Sequence, residues 1–163
     1  MRRPLPLSVA IITLNEEHNL PRCLESVRGL AEEIVIVDSG STDRTAEIAR
    51  EFGAKFTTEP WAGHVAQKNQ ALRRCSQPWA LCLDADEALT PELAQSVRAV
   101  FAAGSPAAAG YYVNRRTQFL GEWIWRAWYP EWRLRLVCRE QARWGGRDPH
   151  DSLESTEIGR AHV

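Results

Sequence analysis

The first hundred residues alternate two hydrophobic patterns. Continuous apolar, β-branched runs occur at Ser8–Leu14 and Ile34–Val37, with a shorter one at Ala54–Thr58 and another at Trp79–Leu83. Such runs suit strands that are covered on both faces. Between them the apolar residues recur every three or four positions, as on one side of a helix. Leu20, Cys23, Leu24 and Val27 form such a stripe in a helix predicted over 20–28, which Gly29 stops. Further helices are predicted from a Thr42 or Asp43 cap to Phe52, over 65–74, and from Pro91 to about residue 103. This β-α-β-α-β-α-β-α order predicts an α/β fold with a mainly parallel sheet flanked by helices. Ligands of such sheets bind beyond the carboxyl ends of the strands. Three polar clusters fall there: Thr13–Glu17, Asp38–Asp43 and Asp84–Glu87.

After Ser105–Gly110, a surface connection, the texture changes. Strands are predicted over 111–118 and 132–138, a smaller mixed β part, and the segment between them is crowded with tryptophan. The 163 residues suffice for one domain with a real core, and 44% hydrophobic with 25% charged residues is ordinary for a globular chain. A net charge of -1 argues against a nucleic-acid binder. The four cysteines form no C-x-x-C pair and no zinc-ligand spacing, which predicts buried thiols rather than a disulfide framework. Arg2, Arg3 and the apolar run after them faintly resemble a signal peptide. Pro4 and Pro6 interrupt that pattern, however, and the segment reads better as a first buried strand. No stretch reaches the roughly 20 apolar residues of a membrane span, so membrane contact is expected to be peripheral. Ile158–Val163 reads as a non-native tail, the in-frame translation of a sequencing adaptor, leaving a single domain over 1–157.

The sharpest chemistry lies in Leu81-Cys82-Leu83-Asp84-Ala85-Asp86-Glu87. An apolar strand delivers two carboxylates at i and i+2, which share a face if the backbone stays extended. A cation between them and an anionic ligand relieves their repulsion, and hard oxygens suit Mg²⁺ or Mn²⁺. The bland alternative is a solvated turn. Asp38-Ser39-Gly40-Ser41-Thr42-Asp43 follows a buried strand and opens a helix, so its backbone N–H groups and hydroxyls face the ligand crevice, and Asp38 can accept hydrogen bonds from a base or ribose. The cluster also serves as a turn and helix cap.

Together, Val9–Glu16, Ile36–Asp43 and Asp84-Ala85-Asp86 resemble glycosyltransferase family 2 over nearly all of Leu7–Leu153. Within it, Gln67-Lys68-Asn69-Gln70-Ala71-Leu72 and the Trp-rich stretch are similar to the bacterial lipopolysaccharide core transferases. The resemblance implies a GT-A (Rossmann-like) fold with a nucleotide-sugar half over 7–104 and an acceptor half over 110–153. It implies a UDP-sugar donor, a divalent metal, inversion at the anomeric carbon, a saccharide or glycolipid acceptor, and a cytoplasmic protein at the inner membrane face. By similarity Thr13, Asn15, Glu16, Asp38 and Ser39 hold the nucleoside, Asp84 and Ala85 lie by the ribose or metal, and Asp86 ligates the metal. His150, in Asp148-Pro149-His150-Asp151, resembles a late histidine that adds a metal ligand; a plain surface histidine is the alternative.

Lys68, one of two lysines in the chain, either meets the diphosphate as a point charge or is a solvated surface residue. Sugar rings and membrane interfaces both favour tryptophan, and Arg115, Arg116, Arg126 and Arg133 lie near Trp123, Trp125, Trp128 and Trp132. An acidic glycolipid acceptor follows, against partial burial in a core. The general base that inversion needs is expected at Glu131 or Asp151, with Asp148 behind them. Two rival readings share part of this pattern. A haloacid-dehalogenase-like phosphatase also ends a strand in D-x-D, but on its first strand and with a later lysine, whereas no lysine follows Asp84. A truncated chain that binds UDP-sugar without a complete acceptor site shares every donor motif.

Overall fold

The computed structural model describes residues 3–102, 104–119, 121–124 and 129–156. Four βα units open the chain: β1 (Leu5–Thr13), α1 (Leu20–Ser26), β2 (Ala31–Asp38), α2 (Thr45–Glu51), β3 (Lys55–Thr58), α3 (His64–Arg74), β4 (Trp79–Asp84) and α4 (Pro91–Ala102). Then come β5 (Gly110–Arg115), β6 (Gln118–Phe119), β7 (Glu122–Trp123), β8 (Glu131–Cys138), β9 (Ala142–Arg147) and β10 (His150–Ser155). The main sheet has the order β3-β2-β1-β4-β8-β5. β1 to β4 are parallel, β8 runs antiparallel between β4 and β5, and β9–β10 and β6–β7 are separate antiparallel pairs. The two strands predicted in the second half thus extend the main sheet.

Alternation along β1 divides the core. Leu7, Val9 and Ile11 pack with Leu20 and Leu24 of α1, Ile48 of α2 and Val97 of α4. Ala10, with Val35, Val37, Ala80 and Cys82, packs on Ala71 and Leu72 of α3 and on Trp144 and Leu153 of the β9–β10 hairpin. The sheet is covered on both faces, which is why its strands read as unbroken apolar runs. Burial pushes the thiols of Cys23, Cys75 and Cys82 up to about 12, so they are inert.

The hairpin is pinned to α3 at three points. Val65 N–H donates to Asp148 Oδ1 (3.0 Å) at the start of the helix, which has no side-chain cap of its own. Asn69 exchanges two bonds with the backbone of Trp144 (2.8 and 2.9 Å). Lys68 reaches Asp151 at 2.7 Å. Gly63, at φ +98°, allows the first contact, since a Cβ there would stand 2.1 Å from Asp148 Oδ2. We therefore expect Gly63→Ala to lower stability by about 1–2 kcal/mol through a strained φ and a displaced cap, read as a fall in the thermal midpoint.

Sequence expectations at Trp125, Arg126, Trp128 and the tail 158–163 lie outside the described residues. Among those described, no helix is long and apolar enough to cross a membrane.

Candidate functional site

Register alone brings three of the expected residues together. Thr13 stands opposite Asp38, and its neighbour Ile12 opposite Asp84, so the ends of β2, β1 and β4 lie side by side. Asp38 is buried, and its carboxylate accepts four hydrogen bonds: from Thr13 Oγ1 (2.7 Å), Gly40 N (2.8 Å), Ser41 N (2.7 Å) and Ser41 Oγ (2.5 Å). It fastens the loop after β2 to the end of β1. Asn15, in the left-handed region at φ 54°, accepts from Thr42 N (2.9 Å), and its own N–H donates to Ser41 Oγ (2.8 Å). Glu16 N–H donates to Thr45 Oγ1, Asp43 Oδ1 accepts from Thr45 N, and Ser39 Oγ accepts from Gln67 Nε2. Thr13, Asn15, Glu16, Asp38 and Ser39 therefore form one cross-linked floor.

At the end of β4 the charges are packed more closely. Lys68 Nζ lies 2.8 Å from Asp84 Oδ1 and 2.7 Å from Asp151 Oδ2, and 4.4 Å from the centre of the Trp144 ring. Arg135 Nη2 contacts Asp84 Oδ2 (3.3 Å) and Glu87 Oε1 (2.9 Å), with its guanidinium 5.8 Å from the same ring. Both cations are buried, an arrangement that survives desolvation only because each has two carboxylates. Burial alone would raise the Asp84 pKa, but Arg135 and Lys68 outweigh it and hold the carboxyl below its ordinary value. Lys68 is thus neither a solvated surface residue nor a free point charge.

Arg135 and Trp144 escaped sequence reasoning. Tyr111 pairs with Leu136 and Tyr112 with Leu134, so Arg135 is the extra residue of a β-bulge. A bulge re-aims side chains relative to simple alternation, and Arg135 meets Asp84. The only signal was an arginine inside the apolar run Leu134–Val137. Trp144 sits on a strand with two glycines, Gly145 and Gly146, whose pattern does not advertise a strand.

Beyond these strand ends lies an open cleft of about 510 Å³, with Lys68, Arg115, Arg133 and Arg135, the carboxylates of Asp84 and Asp151, His150, and the aromatic rings of Tyr112, Trp132 and Trp144 on its walls.

Three expectations are corrected. The extended geometry of Asp84 and Asp86 does not hold: the strand ends at Asp84, Glu87 N–H closes a turn onto Asp84 O (3.0 Å), Ala85 is buried, and Asp86 is exposed. Asp84, Asp86 and His150 do not form a ready-made metal cage; among the described residues no three His, Cys, Asp or Glu side chains gather closely enough to hold an ion. Glu131 is not on the cleft wall. Its carboxylate lies in the forks of Arg115 (2.9 and 2.9 Å) and Arg133 (3.0 and 2.6 Å). Burial raises its pKa, and the hydrogen bonds from Arg115 and Arg133 more than reverse this, leaving it below its ordinary value. Such a carboxylate is a poor proton acceptor. Asp151 does line the cleft, whereas Asp148 is spent on the start of α3.

Residues 8–160 match the family described as Glycosyl transferase family 2. The chain belongs to glycosyltransferase family 2. This family member is 46% identical over 122 residues to the lipopolysaccharide core biosynthesis glycosyltransferase LpsC of Rhizobium meliloti (strain 1021), an overlap of 72% of the chain and 44% of LpsC. It is 44% identical over 96 residues to an uncharacterized glycosyltransferase of Rickettsia bellii (strain RML369-C), covering 59% of the chain and 33% of that protein. The chain therefore spans less than half the length of these curated relatives. Its fold matches that of S. aureus TarS in complex with UDP (TM-score 0.60, 20% identity, 78% of this chain and 40% of that one). It also matches Mycobacterium tuberculosis glucosyl-3-phosphoglycerate synthase in complex with UDP (TM-score 0.60, 20% identity, 85% and 58%). This likeness bears out the expected GT-A sheet.

Proposed function

We propose that this chain forms the donor-binding part of an inverting, metal-dependent glycosyltransferase that moves a hexose from a UDP-sugar to a lipopolysaccharide-core saccharide or glycolipid. The observation that carries the reading is the side-by-side placement of Thr13, Asp38 and Asp84 at the carboxyl edge of the sheet, with Asp84 on the wall of a cleft lined by cations and aromatic rings. The UDP complexes of TarS and of the synthase support the donor, and the name of LpsC supports the acceptor class. A cytoplasmic location at the inner membrane face belongs to the same reading.

On this reading the floor of Thr13, Asn15, Glu16, Asp38 and Ser39 receives the nucleoside, and Lys68 and Arg135 stand beside the diphosphate. Asp151 has Oδ2 held by Lys68 at 2.7 Å, whereas both Glu131 oxygens are held by arginine. On the cleft wall, Asp151 Oδ1 takes the proton from the acceptor hydroxyl as that oxygen bonds to the anomeric carbon and the bond to the diphosphate breaks.

The residues fit a divalent cation through Asp86. Its carboxylate is exposed and makes no hydrogen bond or ion pair among the described residues, while Arg22 Nη2 holds its backbone oxygen at 2.6 Å. Mg²⁺ or Mn²⁺ is commonly held by one or two carboxylates, with substrate phosphates and water filling the other positions. A synthase complex that contains Mn²⁺ and UDP shares the fold (TM-score 0.51, 21% identity, 68% of this chain and 43% of that one). Bound there, the ion supplies positive charge against the departing diphosphate. Asp84, with a cation already on each oxygen, contributes by holding Lys68 and Arg135.

Calorimetric titration with UDP tests the donor reading. We expect binding that strengthens with Mn²⁺, and loss of that metal dependence in Asp86→Ala. Metal-linked affinity that persists in the variant removes Asp86 as the ligand, and no UDP binding under any condition removes the donor site itself. Transfer from UDP-sugar to added lipopolysaccharide core tests the whole reaction.

A further inference from the structure

We propose that the β5–β8 wall of the cleft binds an anionic saccharide, a sugar bearing a phosphate or carboxylate, with Arg115 and Arg133 gripping the anion and Trp132 carrying the ring. The proposal rests on the reading of this chain as a glycosyltransferase and specifies the chemistry of its acceptor.

Arg115 stands opposite Glu131 across the two strands, and Arg133 follows Glu131 by two residues. Glu131 takes two N–H groups from each guanidinium, all at 3.0 Å or less. A guanidinium has five N–H donors, so each fork keeps donors after this contact. Both arginines line the cleft and Glu131 does not. The carboxylate therefore sits behind the forks and fixes their direction, which makes Glu131 a positioning residue. Around Glu131 two guanidiniums meet one carboxylate, and the second carboxylate near Arg115, that of Glu87 at 3.5 Å, is shared with the buried Arg135. Planar forks of this kind match phosphate and carboxylate oxygens two at a time. Trp132, 41% exposed, and Tyr112 line the same cleft. A flat indole beside a fixed pair of forks suits a sugar ring with a charged substituent.

The test uses saturation-transfer NMR titrations of the whole chain, with UDP present, against glucose 6-phosphate, glucuronate and glucose. Both anionic sugars are expected to bind at least about tenfold more tightly than glucose, the size of a charge-assisted hydrogen-bonded contact. Added salt is expected to shrink the difference. Arg133→Ala should remove the selectivity, Arg133→Lys should restore part of it, and Trp132→Ala should weaken all three sugars alike. Glu131→Gln should reduce the selectivity although its side chain touches no sugar, which a purely structural role would not predict in a variant of unchanged melting temperature. Equal affinity for the three sugars, or selectivity that survives Arg133→Ala, overturns the proposal. So does Arg133-dependent sedimentation with phosphatidylglycerol vesicles when the sugars bind alike. Separate UDP titrations on the same samples show whether the donor reading, rather than this one, has failed.

Discussion

Replacing Asp84 by alanine should lower both UDP affinity and, by about 2–3 kcal/mol, stability. Lys68 and Arg135 each place a nitrogen on one Asp84 oxygen, at 2.8 and 3.3 Å, and both side chains are at most 10% exposed. Removing the carboxylate leaves two buried cations with one partner each, Asp151 and Glu87. Stripping a partner from a buried pair costs about 3–5 kcal/mol, and the remaining carboxylates bring the expected figure below that range. On the proposed function UDP affinity should fall at least about tenfold, because the two cations assigned to the diphosphate are no longer fixed. Asp84→Asn keeps the shape and loses the charge, so it should show most of the same loss. Chemical denaturation and calorimetry read the two effects separately. A variant as stable as the parent would mean that the Lys68–Asp84–Arg135 cluster contributes nothing net.

Acid should undo a second buried carboxylate at the opposite end of the sheet. Glu33, at the start of β2, accepts from Lys55 Nζ (2.5 Å), Ser76 N (2.7 Å) and Ser76 Oγ (2.9 Å), and from Ser8 Oγ. Burial alone would raise its pKa, yet these donors, Lys55 foremost, bring it from 4.5 down to about 2. A carboxyl whose folded pKa is depressed stabilises the fold above its unfolded pKa and loses that contribution as pH falls through the folded value. The window here runs from about pH 4.5 down to about pH 2. The shift corresponds to about 3 kcal/mol at neutral pH. Glu33→Gln should therefore destabilise the chain by about that amount at pH 7 and flatten its stability profile between pH 4.5 and 2. An unchanged profile would place the acid sensitivity elsewhere.

The parallel core was legible because burial on both faces leaves a direct mark on sequence. Ile34–Val37 and Trp79–Leu83 have no polar face to confuse, and Gly53 follows the cap of α2 as predicted, whereas α1 ends at Ser26, short of Gly29. The gathering of Thr13, Asp38 and Asp84 at the carboxyl edge was legible for the same reason: a polar cluster at the end of a buried strand has few other places to be. Outside that core the reading weakened. The change of texture after Gly110 predicts a separate β part over 111–118 and 132–138, yet β5 and β8 complete the main sheet. The β9–β10 hairpin went unread because Gly145, Gly146 and the polar residues of Arg147–Asp151 break any alternation.

By itself the sequence determined the order of the first four strands and helices, the family, and which residues arrive at the carboxyl edge. Those properties depend on local periodicity and on contacts within single βα units. Only the tertiary structure decided the partners of the charges: that Lys68 lies between Asp84 and Asp151, that a bulge turns Arg135 into the same cluster, and that Glu131 lies behind two arginines instead of facing the cleft. Apart from Arg133–Glu131, these ion pairs join residues 16 to 83 positions apart, and pairings at such separations are set by packing, which leaves no periodic trace in the chain.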